Sequence, residues 1–202
     1  MKILGLTGSV GMGKSTAAAM LRRLGVPVYD ADAAVHRMMS KGGTAVAAVA
    51  AAFPGVETQG AIDRRALGER VFGNDAAMKR LEAIIHPRVR DDEARFLHRM
   101  RRRRAKLVVM DVPLLFESGR DKRYDATMVV TAPAFLQRAR VLARPGMTAA
   151  KLAAILVRQL PDAEKRRRAD FIVPSGLGRA LTWRRLRQAL RALVGDSADR
   201  VI

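Results

Sequence analysis

Cysteine is absent from the 202-residue sequence. Disulfide bonds and thiolate metal sites are therefore excluded, and a chain without thiols suits a reducing compartment. Aromatic residues make up only 4% of the chain, and no basic segment carries the interleaved rings on which single-stranded nucleic acid stacks. No apolar run reaches the length of about 18 residues that a membrane span needs, and no signal-peptide layout is present. These absences predict a cytoplasmic protein without a membrane partner.

Acidic residues are scarce relative to basic ones. The sequence has 19 Asp and Glu against 38 Lys and Arg, a formal net charge of +19. Such an excess calls for an anionic partner, which is nucleic acid, an acidic membrane surface or a polyphosphorylated small molecule. The most basic stretch, "RMRRRRAK" at residues 99–106, fits a solvated helix end and loop better than a nucleic-acid patch. We expect small-molecule partners and no specific nucleic acid.

A phosphate-binding loop is the strongest motif that is present. Residues 8–15 read "GSVGMGKS", which fits glycine, four residues of any type, glycine, lysine and then serine or threonine. The preceding "KILGLT" is a short apolar run typical of a strand, and the following "KSTAAAMLRRL" has the composition of a helix. Strand, glycine loop and helix therefore occur in the order that this motif requires.

Each residue type in the loop has a physical reason. Glycines adopt positive φ and carry no Cβ, so successive backbone N–H groups approach phosphate oxygens at the N-terminus of a helix. Lys14 brings a positive charge to the β- and γ-phosphates of ATP, and the Ser15 hydroxyl is a ligand for Mg²⁺. The predicted nucleotide contacts in the loop are Gly8, Gly11, Met12, Gly13, Lys14, Ser15 and Thr16.

Alternating strand and helix signals continue along the chain. Strands are predicted in "VPVYD", "KLVVMDVPLLF", "YDATMVVTAP" and "ADFIVPS", each followed by a helical pattern. This alternation predicts an α/β fold in one P-loop kinase domain, a parallel sheet flanked by helices. The predicted core spans about 1–40 and 105–202, and a basic lid spans about 145–170. Residues 41–104 form a helical insertion with no convincing strand.

The sequence favours a kinase over a hydrolase among P-loop proteins. An Asn-Lys-x-Asp guanine signature is impossible because Asn74 is the only asparagine, and Asp111 is followed by Val112 rather than by a water-activating glutamate. A kinase needs a lid that excludes water and a base for the acceptor hydroxyl. The segment 156–171 supplies lid arginines. In "DAD", Asp30 is predicted to cap a helix, which leaves Asp32 free to face the cleft.

The chain resembles the dephospho-CoA kinase family over nearly its whole length. The residues that carry the resemblance are "GLTGSVGMGKST", "GVPVYDADAAVHRM", "GAIDRRALGERVF", "LEAIIHPRV", "DVPLLFE", "FLQRARVLAR" and "QLPDAEKRRRADF". The resemblance implies transfer of phosphate from ATP to the ribose 3′-hydroxyl of dephospho-CoA, the last step of coenzyme A synthesis.

The same resemblance implies roles for individual residues. Asp32 is the expected base and Arg138 the phosphate-contacting arginine, and the helical insertion is expected to receive the acceptor. Arg144 and Lys165 are further residues that are expected to contact ATP. The expected acceptor contacts are Thr7, Asp32, Arg64, His86, Pro113 and Leu114.

Several points stay open from the sequence. Val173-Pro174-Ser175 departs from the polar pair usual in the family, which leaves the adenine contacts open. His86-Pro87 either separates two helices or contacts substrate, and Glu117 either bonds to backbone near the cleft or is exposed. The alternatives to this enzyme are another small-molecule or nucleotide kinase of the same fold and a nucleic-acid-binding P-loop protein. The oligomeric state is open, with a monomer expected.

Overall fold

The computed structural model describes residues 1–195 as two compact units, one formed by residues 1–29 with those from Met100 onward and the other by residues 30–99. The strands are β1 (Lys2–Thr7), β2 (Val28–Asp30), β3 (Glu57–Thr58), β4 (Ala61–Ile62), β5 (Leu107–Asp111), β6 (Ala126–Thr131) and β7 (Phe171–Pro174). The helices are α1 (Lys14–Arg23), α2 (Ala31–Met39), α3 (Val46–Ala52), α4 (Arg64–Val71), α5 (Asp75–Arg102), α6 (Ala134–Leu142), α7 (Ala149–Val157), α8 (Asp162–Arg168) and α9 (Arg179–Val194). Across residues 1–195, every helix is too short or too polar to cross a membrane.

A five-stranded sheet with the order β2-β5-β1-β6-β7 organises the first unit. β1 pairs in parallel with β5 on one side and with β6 on the other, and β6 pairs in parallel with β7. The register sets Leu6 opposite Asp111, so the ends of β1 and β5 meet at one edge. The predicted parallel sheet flanked by helices is confirmed.

The core of the first unit follows from the two-residue period of its strands. Leu4, Leu6 and Met128 alternate along β1 and β6 and pack in one cluster with Leu21 of α1 and Leu186 of α9. The intervening strand residues are buried as well, and all five residues of β5 are buried. Burial on both faces explains why these strands read as continuous apolar runs in the sequence.

The second unit holds the helices α2, α3 and α4, most of α5, and a short antiparallel hairpin. The hairpin pairs Glu57 with Ile62 and Thr58 with Ala61, so the prediction that the insertion has no strand is wrong. Its turn residues Gln59 and Gly60 both have positive φ, 52° and 79°, which is the pattern of a type I′ turn. Two-residue strands are too short to produce a detectable alternation of apolar and polar residues, so sequence patterns do not reveal them.

The helix α5 runs through Pro87 without a break. Of the two alternatives left open for His86-Pro87, the separation of two helices is therefore wrong. Proline removes a backbone donor and normally disrupts the helix ladder. Here the Arg88 guanidinium donates to Ile84 O at 2.7 Å and to Thr44 O at 3.0 Å. These bonds connect the residue after the proline to the preceding turn of α5 and to Thr44, which lies just before α3.

Candidate active site

The P-loop connects β1 to α1, as predicted. Gly11 and Gly13 have φ of 76° and 89°, in the left-handed region that residues with a Cβ rarely adopt. Space is restricted too, because a Cβ on Gly8 would lie 2.7 Å from Val130 O and one on Gly11 would lie 2.5 Å from Val141 Cγ2. The glycines thus allow the loop to pack closely against β6 and α6 while its backbone turns into the helix.

Lys14, the first residue of α1, pairs with Asp111 at the end of β5. The Lys14 Nζ to Asp111 Oδ1 distance is 2.5 Å, and the two side chains are 16% and 3% exposed. The contact follows from the sheet order, which makes β5 a neighbour of β1. Little solvent screens this ion pair, so the attraction to Asp111 holds the lysine head group in place. The head group lies at the carboxyl ends of the strands, which is the edge where ligands of parallel sheets bind.

Arg140 of α6 contacts the P-loop, and the sequence analysis missed it. Its Nη1 donates to Ser175 Oγ at 3.0 Å and its Nη2 donates to Ser175 O at 3.0 Å. Ser175 in turn donates its hydroxyl to Met12 O at 2.6 Å. The Met12 carbonyl and the Gly13 N–H belong to one planar peptide and point in opposite directions. Arg140 and Ser175 thereby orient the Gly13 N–H in the phosphate-binding loop.

The available sequence signal for Arg140 was its spacing. Gln137 and Val141 form the buried face of α6, and Arg140 lies three residues after Gln137 on the same side of the helix. Three arginines at positions 138, 140 and 144 share this region. Only the packed structure identifies which of them faces the loop, whereas Arg138 and Arg144 are exposed.

Ser175 is the last residue of the Val173-Pro174-Ser175 stretch, whose role the sequence left open. Its hydroxyl lies so close to the loop that a Cβ on Gly13 would be 2.7 Å from Ser175 Oγ. The structure places this small hydroxyl side chain where it bonds to P-loop backbone. A larger residue at this position would have to be accommodated by movement of the loop.

Glu117, in the loop after β5, and Lys165, on α8, form a buried ion pair. The Lys165 side chain is 0% exposed, and its Nζ lies 2.8 Å from Glu117 Oε1. The same oxygen accepts the backbone N–H of Leu160 at 2.9 Å, so of the two alternatives left open for Glu117 the structure shows the bond to backbone. Because the Lys165 head group is enclosed, its expected contact with a nucleotide requires a movement of α8.

Two arginines of α8, Arg167 and Arg168, form ion pairs with Glu164 of the same helix. Glu164 pairs with Arg168 at 2.7 Å and with Arg167 at 2.6 Å. The Arg168 guanidinium first, and then Arg167, hold the pKa of the Glu164 carboxyl below its usual value. These are exposed pairs, whose strength is reduced by solvent.

Other predicted site residues are distributed over both units. In the first unit, Thr7 is buried and its hydroxyl donates to Pro113 O at 3.0 Å. In the second unit, Asp30 accepts the N–H of Ala33 at 2.9 Å, which confirms it as the N-cap of α2. Asp32 lies in the first turn of that helix and is exposed. The other exposed candidates are Ser15, Thr16, Arg64, His86 and Leu114.

We expect Arg140→Ala to raise the KM for ATP by about tenfold or more, because hydrogen bonds from a charged donor contribute roughly 1.5–3 kcal/mol each. Arg140→Lys should restore only part of the loss, since an ammonium group does not reproduce the two-pronged contact with Ser175. Steady-state kinetics at varied ATP measures the effect, with Arg184→Ala on the exposed side of α9 as the control. An unchanged KM in the Arg140→Ala variant would show that the contact does not order the loop.

Comparison with known proteins identifies one family over most of the chain. The family model described as CoaE, dephospho-CoA kinase, matches residues 2–177. A dephospho-CoA kinase from Paramagnetospirillum magneticum is 68% identical over 166 residues, which are 82% of this chain and 78% of that protein. The crystal structure of TT1252 from Thermus thermophilus is similar with a TM-score of 0.85 at 37% identity, covering 96% of this chain and 97% of that one. A dephospho-CoA kinase from Campylobacter jejuni has a TM-score of 0.69 at 25% identity, covering 95% and 96%.

Proposed function

The chain belongs to the dephospho-CoA kinase family, which phosphorylates dephospho-CoA to coenzyme A in the last step of coenzyme A biosynthesis, and from this premise we propose how its residues carry out the transfer. The observation that supports the proposal most directly is the P-loop whose Lys14 is held by Asp111 at 2.5 Å. A lysine fixed at the end of the central strands is suited to neutralise phosphate charge during transfer.

The proposed reaction is a direct in-line displacement. The ribose 3′-oxygen of dephospho-CoA attacks the γ-phosphorus of ATP and forms a new P–O bond. The bond between the γ-phosphorus and the β–γ bridging oxygen breaks, and its electron pair leaves on ADP. The proton of the 3′-hydroxyl passes to Asp32, the proposed base. Its support is its position two residues after the end of β2, in the first turn of α2, and its exposed carboxylate.

ATP is held by the P-loop in this proposal. The amides of Gly11, Gly13 and Lys14 bind phosphate oxygens at the N-terminus of α1, where the helix macrodipole adds a favourable field. Arg138 and Arg144 are proposed to contact the phosphates from the stretch after β6, and both are exposed. The contacts to Ser175 and Arg140 described above keep the loop amides oriented.

Mg²⁺ is proposed to enter with ATP. Among residues 1–195 no three His, Cys, Asp or Glu side chains converge in a metal-binding group. Mg²⁺ does not need such a group, because it is usually bound through one or two protein ligands together with phosphates and water. The exposed Ser15 hydroxyl in the first turn of α1 is the proposed protein ligand, and the ion would supply neutralisation of the phosphate charge.

The acceptor contacts are proposed for residues that follow strands or belong to the insertion. Arg64 at the start of α4 and His86 on α5 are exposed, and Pro113 and Leu114 follow β5. A guanidinium group at Arg64 is suited to the phosphates of dephospho-CoA. We further propose that the enzyme is cytoplasmic, works as a monomer and needs no specific nucleic acid.

Product identity is the experiment that tests this function. We expect incubation with ATP, Mg²⁺ and dephospho-CoA to give coenzyme A with the new phosphate on the ribose 3′-oxygen, measured by mass spectrometry and phosphorus NMR. Adenosine, AMP and shikimate in separate reactions are the control acceptors, and we expect them to react poorly because they lack the remote groups whose binding energy assists the transfer. Efficient transfer to AMP with none to dephospho-CoA would overturn the proposal.

A further inference from the structure

The segment between α7 and α8 is fastened to the P-loop side of the first unit by side-chain hydrogen bonds. The N–H of Val10, in the middle of the P-loop, donates to Gln159 Oε1 at 3.1 Å. One residue later, Leu160 N donates to Glu117 Oε1 at 2.9 Å. Near the start of α8, Asp162 Oδ2 accepts the Thr131 hydroxyl at 2.6 Å. These three bonds attach the segment to the P-loop, to the loop after β5 and to the end of β6.

The buried Glu117–Lys165 pair holds this segment in place. Lys165 is among the largest fully buried side chains of the described chain, and its pairing with Glu117 leaves no exposed ammonium surface. By contrast, Val157 at the end of the preceding helix α7 is 86% exposed. Within the predicted lid, therefore, residues 159–165 are anchored by three part-buried hydrogen bonds and the buried Lys165, whereas the adjoining end of α7 is open to solvent.

Gln159 accepts a hydrogen bond from the peptide group between Ser9 and Val10, which is part of the P-loop turn. The Val10 N–H shares its peptide plane with the Ser9 carbonyl, and Ser9 O accepts the N–H of Met12 at 3.1 Å. The other side of Val10 is held as well, because Val10 O accepts Gln137 Nε2 at 2.8 Å. Two glutamine side chains from different segments thus fix the orientation of Val10 and of the turn from Ser9 to Met12.

We propose that Gln159 is a positioning residue for ATP binding, which orders the P-loop through the Val10 N–H and is itself kept in place by the Glu117–Lys165 pair. This inference deepens the proposed function, since it rests on the P-loop as the ATP site. The loop amides contact phosphate both before and during transfer, so their ordering changes ATP affinity more than the maximal rate. The affinity for dephospho-CoA is left unchanged.

The first test is direct binding of ATP without an acceptor, measured by titration calorimetry in the presence of Mg²⁺. We expect Gln159→Ala to raise the Kd for ATP by about 2- to 10-fold, which is the loss of affinity expected when one hydrogen bond is removed. Gln188→Ala is the matched control, because Gln188 lies on α9 and bonds only the exposed Arg185 at 3.0 Å among the described contacts. Kinetics with both substrates should show the KM for ATP rising while kcat and the KM for dephospho-CoA change by less than about twofold.

The second test asks whether the buried pair acts through Gln159. Glu117→Leu with Lys165→Met replaces the pair by apolar side chains, a change that often preserves stability in buried pairs. Because Glu117→Leu also removes the acceptor of the Leu160 N–H, we expect this double variant to have a moderately lower melting temperature than the parent while remaining folded, and to weaken ATP binding as much as Gln159→Ala does. Adding Gln159→Ala should then weaken it no further, because both changes remove the same contact.

Three outcomes would overturn the inference. Tighter ATP binding by Gln159→Ala would mean that its oxygen competes with phosphate for the Val10 N–H. Unchanged ATP binding with a lowered melting temperature would mean that Gln159 only stabilises the fold. Independent, multiplying effects of Gln159→Ala and the apolar pair would mean that the pair does not act through Gln159. None of these readings depends on the acceptor, so the inference and the proposed function fail separately.

Discussion

Replacing Lys14 by alanine is expected to lower the rate of phosphate transfer by on the order of 10²–10³ or more, the loss typical of removing a preorganised electrostatic contact. The lysine head group lies 2.5 Å from Asp111 and the pair is largely buried. Its charge is thus fixed where phosphate charge has to be neutralised. Steady-state measurement of kcat and kcat/KM with ATP and dephospho-CoA gives the magnitude.

A control has to separate catalysis from folding in this variant. Lys14→Ala removes the cationic partner of the Asp111 carboxylate, which is only 3% exposed, and the loss of a cationic partner by a buried carboxylate is destabilising. Lys14→Ala with Asp111→Asn removes both charges, so its melting temperature should lie closer to that of the parent. Its activity should stay as low as that of Lys14→Ala. Turnover near the parental level in either folded variant contradicts a phosphate-binding role for Lys14.

Asp32→Asn is expected to lower the rate of transfer by roughly 10²–10⁴ while ATP binding changes little. Asparagine keeps the shape and most of the hydrogen-bonding reach of aspartate but does not take up the proton. Asp32 is exposed in the first turn of α2, so the fold loses no buried contact. Rapid-quench measurement of a single turnover, together with the Kd for ATP, distinguishes a loss of chemistry from a loss of binding.

The neighbouring carboxylate provides the matched control for this prediction. Asp30 caps α2 through the Ala33 N–H at 2.9 Å, and asparagine caps helices about as well as aspartate. Asp30→Asn should therefore be much milder than Asp32→Asn in both rate and melting temperature. Equal losses in the two variants would indicate that the pair acts through the structure of α2 rather than through a base at Asp32.

Local signals were sufficient for most of the first unit. The apolar runs around Leu4, Val109 and Val129 are long enough to show a strand, and burial on both faces makes them continuous. The P-loop was identified from the spacing of its glycines, lysine and serine and from the strand and helix signals on either side, because all these residues are close together in the chain. Asp30 was recognised as a cap for the same reason, since its bond spans three residues.

Predictions failed where structure depends on distant partners or very short elements. The hairpin of Glu57–Thr58 and Ala61–Ile62 has too few residues for a period to appear. The helix α5 continues through Pro87, and the Arg88 side chain after the proline donates to Ile84 O and to the distant Thr44 O. The hairpin is too short for a local signal, and the bond from Arg88 to Thr44 joins residues far apart in the chain.

The amino-acid sequence by itself determined the α/β class, the phosphate-binding loop and the family resemblance, since each rests on residue types at short, regular spacings. Only the tertiary structure decided that Arg140 rather than Arg138 bonds to Ser175 beside the P-loop, and that Lys165 is enclosed with Glu117. The physical reason is the separation of the partners along the chain. Gln159 and Val10 lie 149 residues apart, and which side chain meets which backbone group follows from helix phase, strand order and burial, none of which a local pattern contains.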